Sequence, residues 1–421
     1  MIIRCAALAA ALVVVSALAV VVSPAPAGSA ADTTSPTVHV LYFRAQDDPL
    51  DQTLLAAFEQ GLEDVRRWYG QQVGKTFHRD TLVEVVGQKT IAEYCSDLTC
   101  QPASEWVAAF HVVVGELEER GYVNRDDPHS VYLIAVQTYE IASSLGDPGG
   151  AWFSSDGGGV ATIGHRELQD IAAQSDGDSY ARNRALGILA HELGHAFNLP
   201  HPHEDLYSGG ADPCDEHCDQ TVMWVYPRYP HVGLLDVPEH PEVDALRRNP
   251  IFSLDVETIH LSPGWNLISL PLRPQPAATA SVLSSLEGSY DVVYGWDASA
   301  GSYRSFFGGG GNLDRLDETM GFWIRMKHEA TLSVVGEAPG PVQIPLVEGW
   351  NLIGYPSRTP LPPQEALASI DGSYDIIYGW NSSTGSWLSY DPGLGHGTLR
   401  EMGPGQGYWV YASRDSVLTI G

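Results

Sequence analysis

Positive charge is scarce in this chain of 421 residues: 23 Lys and Arg stand against 52 Asp and Glu, a formal net charge of −29. So acidic a surface is repelled by phosphate backbones and anionic headgroups, which argues against nucleic acid or anionic membrane surfaces as partners. It reads as a solvated surface that keeps an exported protein soluble. Calcium-binding carboxylate clusters are open to such a chain, but no Asp/Asn/Gly loop has clear ligand spacing, so a calcium site is unsupported. Long apolar runs are almost missing too. The one present, residues 6–22, follows Arg4 and precedes Ala25, Ala27, Ala30 and Ala31. That is the layout of an export signal over residues 1–31, with cleavage after Ala27, Ala30 or Ala31. An uncleaved anchor is the alternative, because the run is near the lower length limit for a span. No membrane span is expected after signal removal. Cysteine is rare, with 5 in the chain. Cys5 would leave with the signal, which leaves two close pairs, Cys95 with Cys100 and Cys214 with Cys218. In an exported chain these point to disulfides, with local pairing preferred among three connectivities. The rival is a second zinc site using Cys214, His217 and Cys218.

Apolar content of 44 % and charged content of 18 % fit folded domains rather than a disordered chain. The length requires two or three of them. Residues 37–43 alternate and are β-branched, which predicts a strand. Helical periodicity follows over 51–72 through Leu54, Leu55, Phe58, Leu62, Val65 and Trp68. Further strands are predicted at 82–86, 130–137 (apolar on both faces) and 160–163. A helix is predicted over 104–120 with Ser104 as cap, and another from about 179 to 197. This order implies an α/β layer with the last helix packed under the sheet.

Beyond about residue 250 the chain repeats itself. Gly264-Trp265-Asn266-Leu267-Ile268 returns as Gly349-Trp350-Asn351-Leu352-Ile353. Tyr290 to Trp296 returns at Tyr374 to Trp380, and Gly321-Phe322-Trp323-Ile324 returns as Gly407-Tyr408-Trp409-Val410. The offsets are 85, 84 and 86 residues, which marks a duplicated unit. Short aromatic and β-branched strands with turns at 297–301 and 381–385 predict two mostly-β modules. Their tryptophans invite a carbohydrate-binding reading, since sugars stack on exposed rings. Recurrence within strand patterns favours Trp265, Trp296, Trp323 and their copies as core. Neither unit carries a catalytic-looking constellation.

The chemistry sits in His191-Glu192-Leu193-Gly194-His195-Ala196-Phe197-Asn198-Leu199-Pro200-His201. On a helix His191 and His195 are one turn apart and share a face, so both imidazoles reach one ion. Glu192 is placed to act on a water held there. After His195 the helix must end within a turn for His201 to become the third ligand. Asn198 tolerates the required positive φ, and Pro200 stops the helix. Chance gives a His-Glu-x-x-His about 0.03 times in a chain of this composition, and the third histidine lowers that to on the order of 0.001. Three histidines, an open position and an adjacent carboxylate are the parts of a hydrolytic zinc site; a structural site normally closes the fourth position with protein.

This stretch resembles the signature of the metzincin clan of zinc metallopeptidases, His-Glu-x-x-His-x-x-Gly-x-x-His, with Asn198 in the glycine position. The clan also has a downstream methionine in a tight turn beneath the metal. Met223 lies 22 residues after His201 and fits that place. The resemblance implies one catalytic Zn2+ on His191, His195 and His201, Glu192 as general base, and Met223 as the structural turn. Some metzincins use a tyrosine two residues past the methionine; Tyr226 is three past it, so that role is not carried over. His203 and Asp205 near the motif read as a polar loop. The strand at 160–163 is expected to form the rim along which a peptide pairs. The short stretch between signal and first strand leaves no room for a long inhibitory pro-segment.

The C-terminal units resemble Gly-Trp-Asn-Leu-Ile-Ser-Leu-Pro modules appended to secreted and surface proteins of bacteria and archaea, which implies a prokaryotic, extracellular setting. The expected fold is an α/β (α+β) metzincin-like catalytic domain with a mixed twisted sheet and active-site helix, then two tandem mostly-β modules. The expected divisions are 1–31 signal, 32–250 catalytic, and 255–336 and 340–421 for the repeats. The expected activity is that of a secreted zinc endopeptidase on protein or peptide, its modules binding cell surface, protein or carbohydrate. One alternative is an inactive surface adhesion protein, which the intact Glu192 argues against. Another is a zinc hydrolase acting on something other than protein, which the clan resemblance argues against.

Overall fold

A computed structural model describes residues 36–98, 106–142, 149–153, 158–173, 180–201, 218–237, 240–308 and 310–421. The signal at 1–31, Ser104, Cys100, His203, Asp205, Cys214 and His217 lie outside them, as does the side chain of Cys218. Cys95 is engaged in a disulfide. Among the described residues no helix is long and apolar enough to cross a membrane.

The chain is mixed α+β with several sheets. Its N-terminal part runs β1 (Thr37–Arg44), α1 (Gln52–Val73), β2 (Lys75–Thr76), β3 (Val83–Val86), α2 (Ile91–Leu98), α3 (Trp106–Glu119), β4 (Ser130–Val136), α4 (Tyr139–Ala142), β5 (Gly149–Phe153), β6 (Gly159–Ile163), α5 (His165–Ala172), α6 (Tyr180–Ala196), α7 (Val222–Val225) and α8 (Glu242–Arg248). One five-stranded sheet has the order β3-β1-β4-β6-β5. All neighbours are parallel except β5, which runs antiparallel to β6. β4 is buried along its whole length, as its unbroken apolar run requires of a central parallel strand. α1 starts on Asp51, whose carboxylate accepts from the Thr53 and Leu54 amides at 2.9 and 3.1 Å. Its apolar stripe, Leu54, Phe58, Leu62, Val65 and Tyr69, packs with α5, α6 and one face of the sheet. The opposite face buries Phe43, Val85, Tyr132 and Ile134 with Val113, Val114 and Leu117 of α3.

The first β unit comprises β7 (Leu254–Leu261), β8 (Gly264–Ser269), β9 (Arg273–Pro274), α9 (Thr279–Val282), β10 (Tyr290–Asp297), β11 (Ser302–Phe307), β12 (Gly310–Gly311), β13 (Gly321–Met326) and β14 (Ala330–Glu337). The second comprises β15 (Val342–Leu346), β16 (Gly349–Ile353), α10 (Pro363–Ala366), β17 (Tyr374–Asn381), β18 (Ser386–Asp391), β19 (His396–Gly397), β20 (Tyr408–Ala412) and β21 (Ser416–Ile420). The sheets β12-β11-β10-β13-β8 and β19-β18-β17-β20-β16 repeat the same order. The hairpin turns fall where Asp297 and Asn381 cap them: Oδ1 accepts from the Ala300 amide at 3.0 Å in one and from the Ser383 amide at 3.1 Å in the other. Each unit has its own core, Phe322, Ile324, Leu332 and Val334 in the first and Tyr408, Val410, Leu418 and Ile420 in the second. The units meet across glycines. A Cβ on Gly321 would stand 2.5 Å from the Ile353 carbonyl oxygen, and one on Gly407 2.6 Å from that of Ile268, so only bare backbones fit this seam.

Two expectations are corrected. The strand at 160–163 is no rim: β6 is bonded on both edges, by β4 and β5, and the outer position belongs to β5. The five residues of β5 are rich in glycine, Gly149-Gly150-Ala151-Trp152-Phe153, and carry no alternation that would mark a strand. The repeat tryptophans are not the cores of their units. Phe322 and Ile324 point into the first core, so Trp323 between them points out the other side, with Trp265 and Leu267 beside it on β8. Trp265 and Trp350 are 40 % and 41 % exposed. Strand alternation puts the rings on one face, and both faces of the sheet are apolar, so recurrence alone does not tell which is core.

Candidate metal centre

The site is built on the last turn of α6 and the chain that leaves it. Asn198 has φ 71°, the sole non-glycine residue with positive φ among the described residues. The Leu199 amide donates back to the Gly194 carbonyl at 2.9 Å and the Asn198 amide to the His195 carbonyl at 2.7 Å. These paired 6→1 and 5→2 bonds form a Schellman motif with Asn198 at the left-handed position. They reverse the chain, and His201 returns over the helix face that carries His191 and His195.

The three Nε2 atoms converge. His195 Nε2 lies 3.1 Å from that of His191 and 3.0 Å from that of His201, and the remaining pair is 3.3 Å apart. The other ring nitrogens are committed to backbone: His191 Nδ1 meets the Val222 carbonyl at 3.0 Å and His195 Nδ1 the Leu199 carbonyl at 2.8 Å. A carbonyl only accepts, so each Nδ1 carries the proton and each Nε2 presents its lone pair to the common centre. Burial, with His195 beside it, pushes His191 down to about 3, so this ring stays neutral at ordinary pH. Among the described residues this is the one cluster of His, Cys, Asp or Glu able to hold a metal. Nitrogens about 2.0–2.1 Å from a tetrahedral zinc stand about 3.3–3.4 Å from one another, so the triad fits that ion with little adjustment.

Glu192 follows His191, precedes His195 by one turn, and is 7 % exposed. Burial, then the nearby Glu167 carboxylate, push it up to about 8. Beneath the triad lies Met223, fully buried at the start of α7. It packs on Gly194, where a Cβ would run into the Met223 sulfur and stand 3.2 Å from the Tyr69 hydroxyl. This explains a glycine inside a helix, where it is otherwise unfavourable. The Tyr69 hydroxyl also donates to the Ala190 carbonyl at 2.6 Å, tying α1 to the metal helix. The segment that carries Met223 has a brace the sequence did not reveal: Glu242 Oε2 accepts from the Thr221 hydroxyl at 2.7 Å and the Leu235 amide at 2.8 Å. Thr221 Oγ1 in turn accepts from the Met223 amide at 3.1 Å. Glu242 thus braces the turn that supplies the Val222 carbonyl to His191. A buried glutamate far along the chain gave no local signal. The side chains of Trp224, Val225 and Tyr226 lie outside the described ones.

No protein-family model matches the chain, and no curated protein is detectably similar to it. Among solved structures, two of wild-type OgpA from Akkermansia muciniphila are 14 % identical, with TM-scores of 0.31 and 0.30. They cover 91 % and 95 % of this chain and 96 % and 99 % of those chains. A third, catalytically inactive OgpA with an O-glycopeptide (glycodrosocin) substrate, is 14 % identical with a TM-score of 0.31 and covers 76 % of this chain and 89 % of that one. TM-scores of this size do not establish a shared fold.

Proposed function

We propose that the chain is a metzincin-like zinc endopeptidase, with His191, His195 and His201 as the metal's ligands and Glu192 as its general base. The observation that carries this reading is the convergence of three Nε2 lone pairs, two locked by carbonyls on Nδ1, next to a buried glutamate. A structural metal site has no use for that glutamate and would fill the fourth position with protein. Bound zinc supplies a Lewis acid for the scissile carbonyl and acidifies water. Glu192 takes the proton of the attacking water on its carboxylate and hands it to the leaving amine nitrogen. The dry pocket disfavours its ionised form, and a dication beside it restores that form. Met223, Gly194 and Tyr69 hold the helix face flat beneath the three rings. An extended substrate pairs along the outer edge of β5, whose inner edge alone is occupied among the described residues. The catalytic part spans 32–250 and the repeats 255–336 and 340–421, exported by the signal at 1–31.

The test is zinc content and casein hydrolysis of wild type and Glu192→Ala. Both should bind zinc, and the variant should lose about 10²–10⁴ in rate. Zinc bound equally by both with hydrolysis by neither would move the reading to a binding protein that keeps only the metal site.

A further inference from the structure

The two β units share a concave aromatic surface that the peptidase reading leaves unused. Its organisation is a pseudo-twofold exchange. Trp296 of the first unit donates its indole N–H to the Trp350 carbonyl of the second at 2.9 Å; Trp380 of the second donates to the Trp265 carbonyl of the first at the same distance. Each half of the surface is therefore mixed. In one half, Trp296 stands 4.9 Å from Tyr303 and 5.5 Å from Trp409 of the other unit, which lies 6.1 Å from Trp350. In the other, Trp380 stands 5.2 Å from Trp387 and 5.5 Å from Trp323, which lies 6.0 Å from Trp265. The matched distances differ by a few tenths of an ångström. The rings meet steeply, at 65–88°, so Trp323 and Trp409 form a floor and the others the walls.

We infer that this groove binds a neutral oligosaccharide, laid across both units with one sugar against each half. The cavity is ≈ 770 Å³, room for several sugar rings, and its described lining is aromatic throughout. No charged side chain stands among those lining residues, so no ion pair selects a charged ligand there. The π-faces attract the slightly positive C–H face of a pyranose. Trp387 and Tyr303 are about half exposed and Trp350 is 41 % exposed, so their faces are open to a ligand. The indole N–H groups of Trp323, Trp350, Trp387 and Trp409 remain to donate to hydroxyl oxygens, whereas those of Trp296 and Trp380 are spent on the seam. Trp296 also borders a second cavity of ≈ 590 Å³ whose wall carries Asp297, Arg304, Asn312 and Asp314. A chain of sugars leaving the aromatic floor would meet there the Asp314 carboxylate, the Asn312 amide nitrogen and the Arg304 guanidinium, which is paired with Asp297; a lipid tail would not use them. The duplicated half-site suits a ligand that itself repeats. Neither half is complete in one unit, which accounts for the tandem pair. The inference stands apart from the peptidase reading.

The test uses the full chain and four probes: cellotetraose, xylotetraose, mannotetraose and chitotetraose, followed by tryptophan fluorescence and calorimetry. Seven of the 11 tryptophans lie in the two units, so binding in the groove dominates the optical signal. At least one probe should saturate. Trp387→Ala and Trp350→Ala, whose backbone carbonyls are kept, should each weaken it by about tenfold or more while the chain still unfolds cooperatively well above the assay temperature. Absence of saturable binding by all four would overturn the inference. So would binding that both variants leave intact, saturation by tetramethylammonium or a proline-rich peptide instead, or a concentration-dependent dimer in sedimentation that Trp387→Ala abolishes.

Discussion

Asn198 tests how far the placement of His201, the third proposed ligand, depends on its turn. At φ 71° an ordinary L-residue pays about 1–2 kcal/mol, asparagine less and glycine nothing. Asn198→Gly removes that strain but frees the unfolded chain by about 0.5–1 kcal/mol, so the metal-free protein should change by under about 1 kcal/mol. Asn198→Ile places a β-branched side chain at the same φ and should lose about 2 kcal/mol or more. The turn carries two things toward the histidine cluster: the Leu199 carbonyl that fixes the His195 ring, and the path of the chain to His201. If the chain escapes the strain by abandoning the turn, 1–2 kcal/mol of preorganisation is lost from binding, a factor of about 5–30 in zinc affinity. Urea denaturation of the metal-free protein and competition against a chromophoric chelator read the two quantities separately. Asn198→Gly should hold wild-type zinc affinity within about threefold, and Asn198→Ile should fall at least about fivefold. Wild-type zinc affinity in Asn198→Ile would refute the reasoning, since the turn would then not be what places His201.

Three further outcomes follow from the same geometry. Gly194→Ala gains about 1 kcal/mol of helix propensity but collides with Met223, so a net loss of up to about 2 kcal/mol is expected in thermal or urea melts; a stabilised variant would mean that Met223 does not press on the helix. Burial pushes the Glu242 carboxyl up to about 7 from its ordinary 4.5. The folded chain then holds this proton more tightly than the unfolded one, so the contribution is full below about pH 4.5 and lost as pH rises through about 7. Relative to Glu242→Gln, which does not titrate, wild-type stability should fall by at most about 3 kcal/mol across that window, and a pH-independent difference would contradict it. Trp296→Phe and Trp380→Phe each delete one of the reciprocal indole bonds and should cost about 1 kcal/mol apiece by denaturation; a cost confined to one would break the pseudo-twofold account.

The elements with strong local periodicity were legible in advance. β1, α1, β4 and α6 lie where alternation, apolar stripes and the double-sided apolar run of β4 placed them, within a residue or two at their ends. The histidine triad was legible because helical geometry and one turn residue suffice to bring 191, 195 and 201 together. What escaped was decided by distant partners. β5 is a strand because β6 offers it an edge, not because of its own residues. Glu242 matters through Thr221, 21 residues away, and Tyr69 through Ala190, 121 residues away. The repeat tryptophans were expected in the cores and stand on the other face: strand alternation gives two faces, and only the pairing of the two units decides which one is covered.

The join between the N-terminal part and the repeats is short and hydrogen-bonded. Phe252 belongs to the first core, and β7 begins at Leu254, where it pairs with β2 through Thr76 opposite Leu254 and Lys75 opposite Asp255. The Arg66 guanidinium bridges the carbonyls of Phe77 and Gln275 at 2.8 and 3.2 Å, and Arg67 reaches the Ser284 hydroxyl at 2.7 Å. A flexible linker lets two sites sample many separations, and its length sets their effective concentration. Here the separation is built in. The histidine cluster and the aromatic groove form the two ends of a ruler, and a ligand can occupy both only if its own spacing matches.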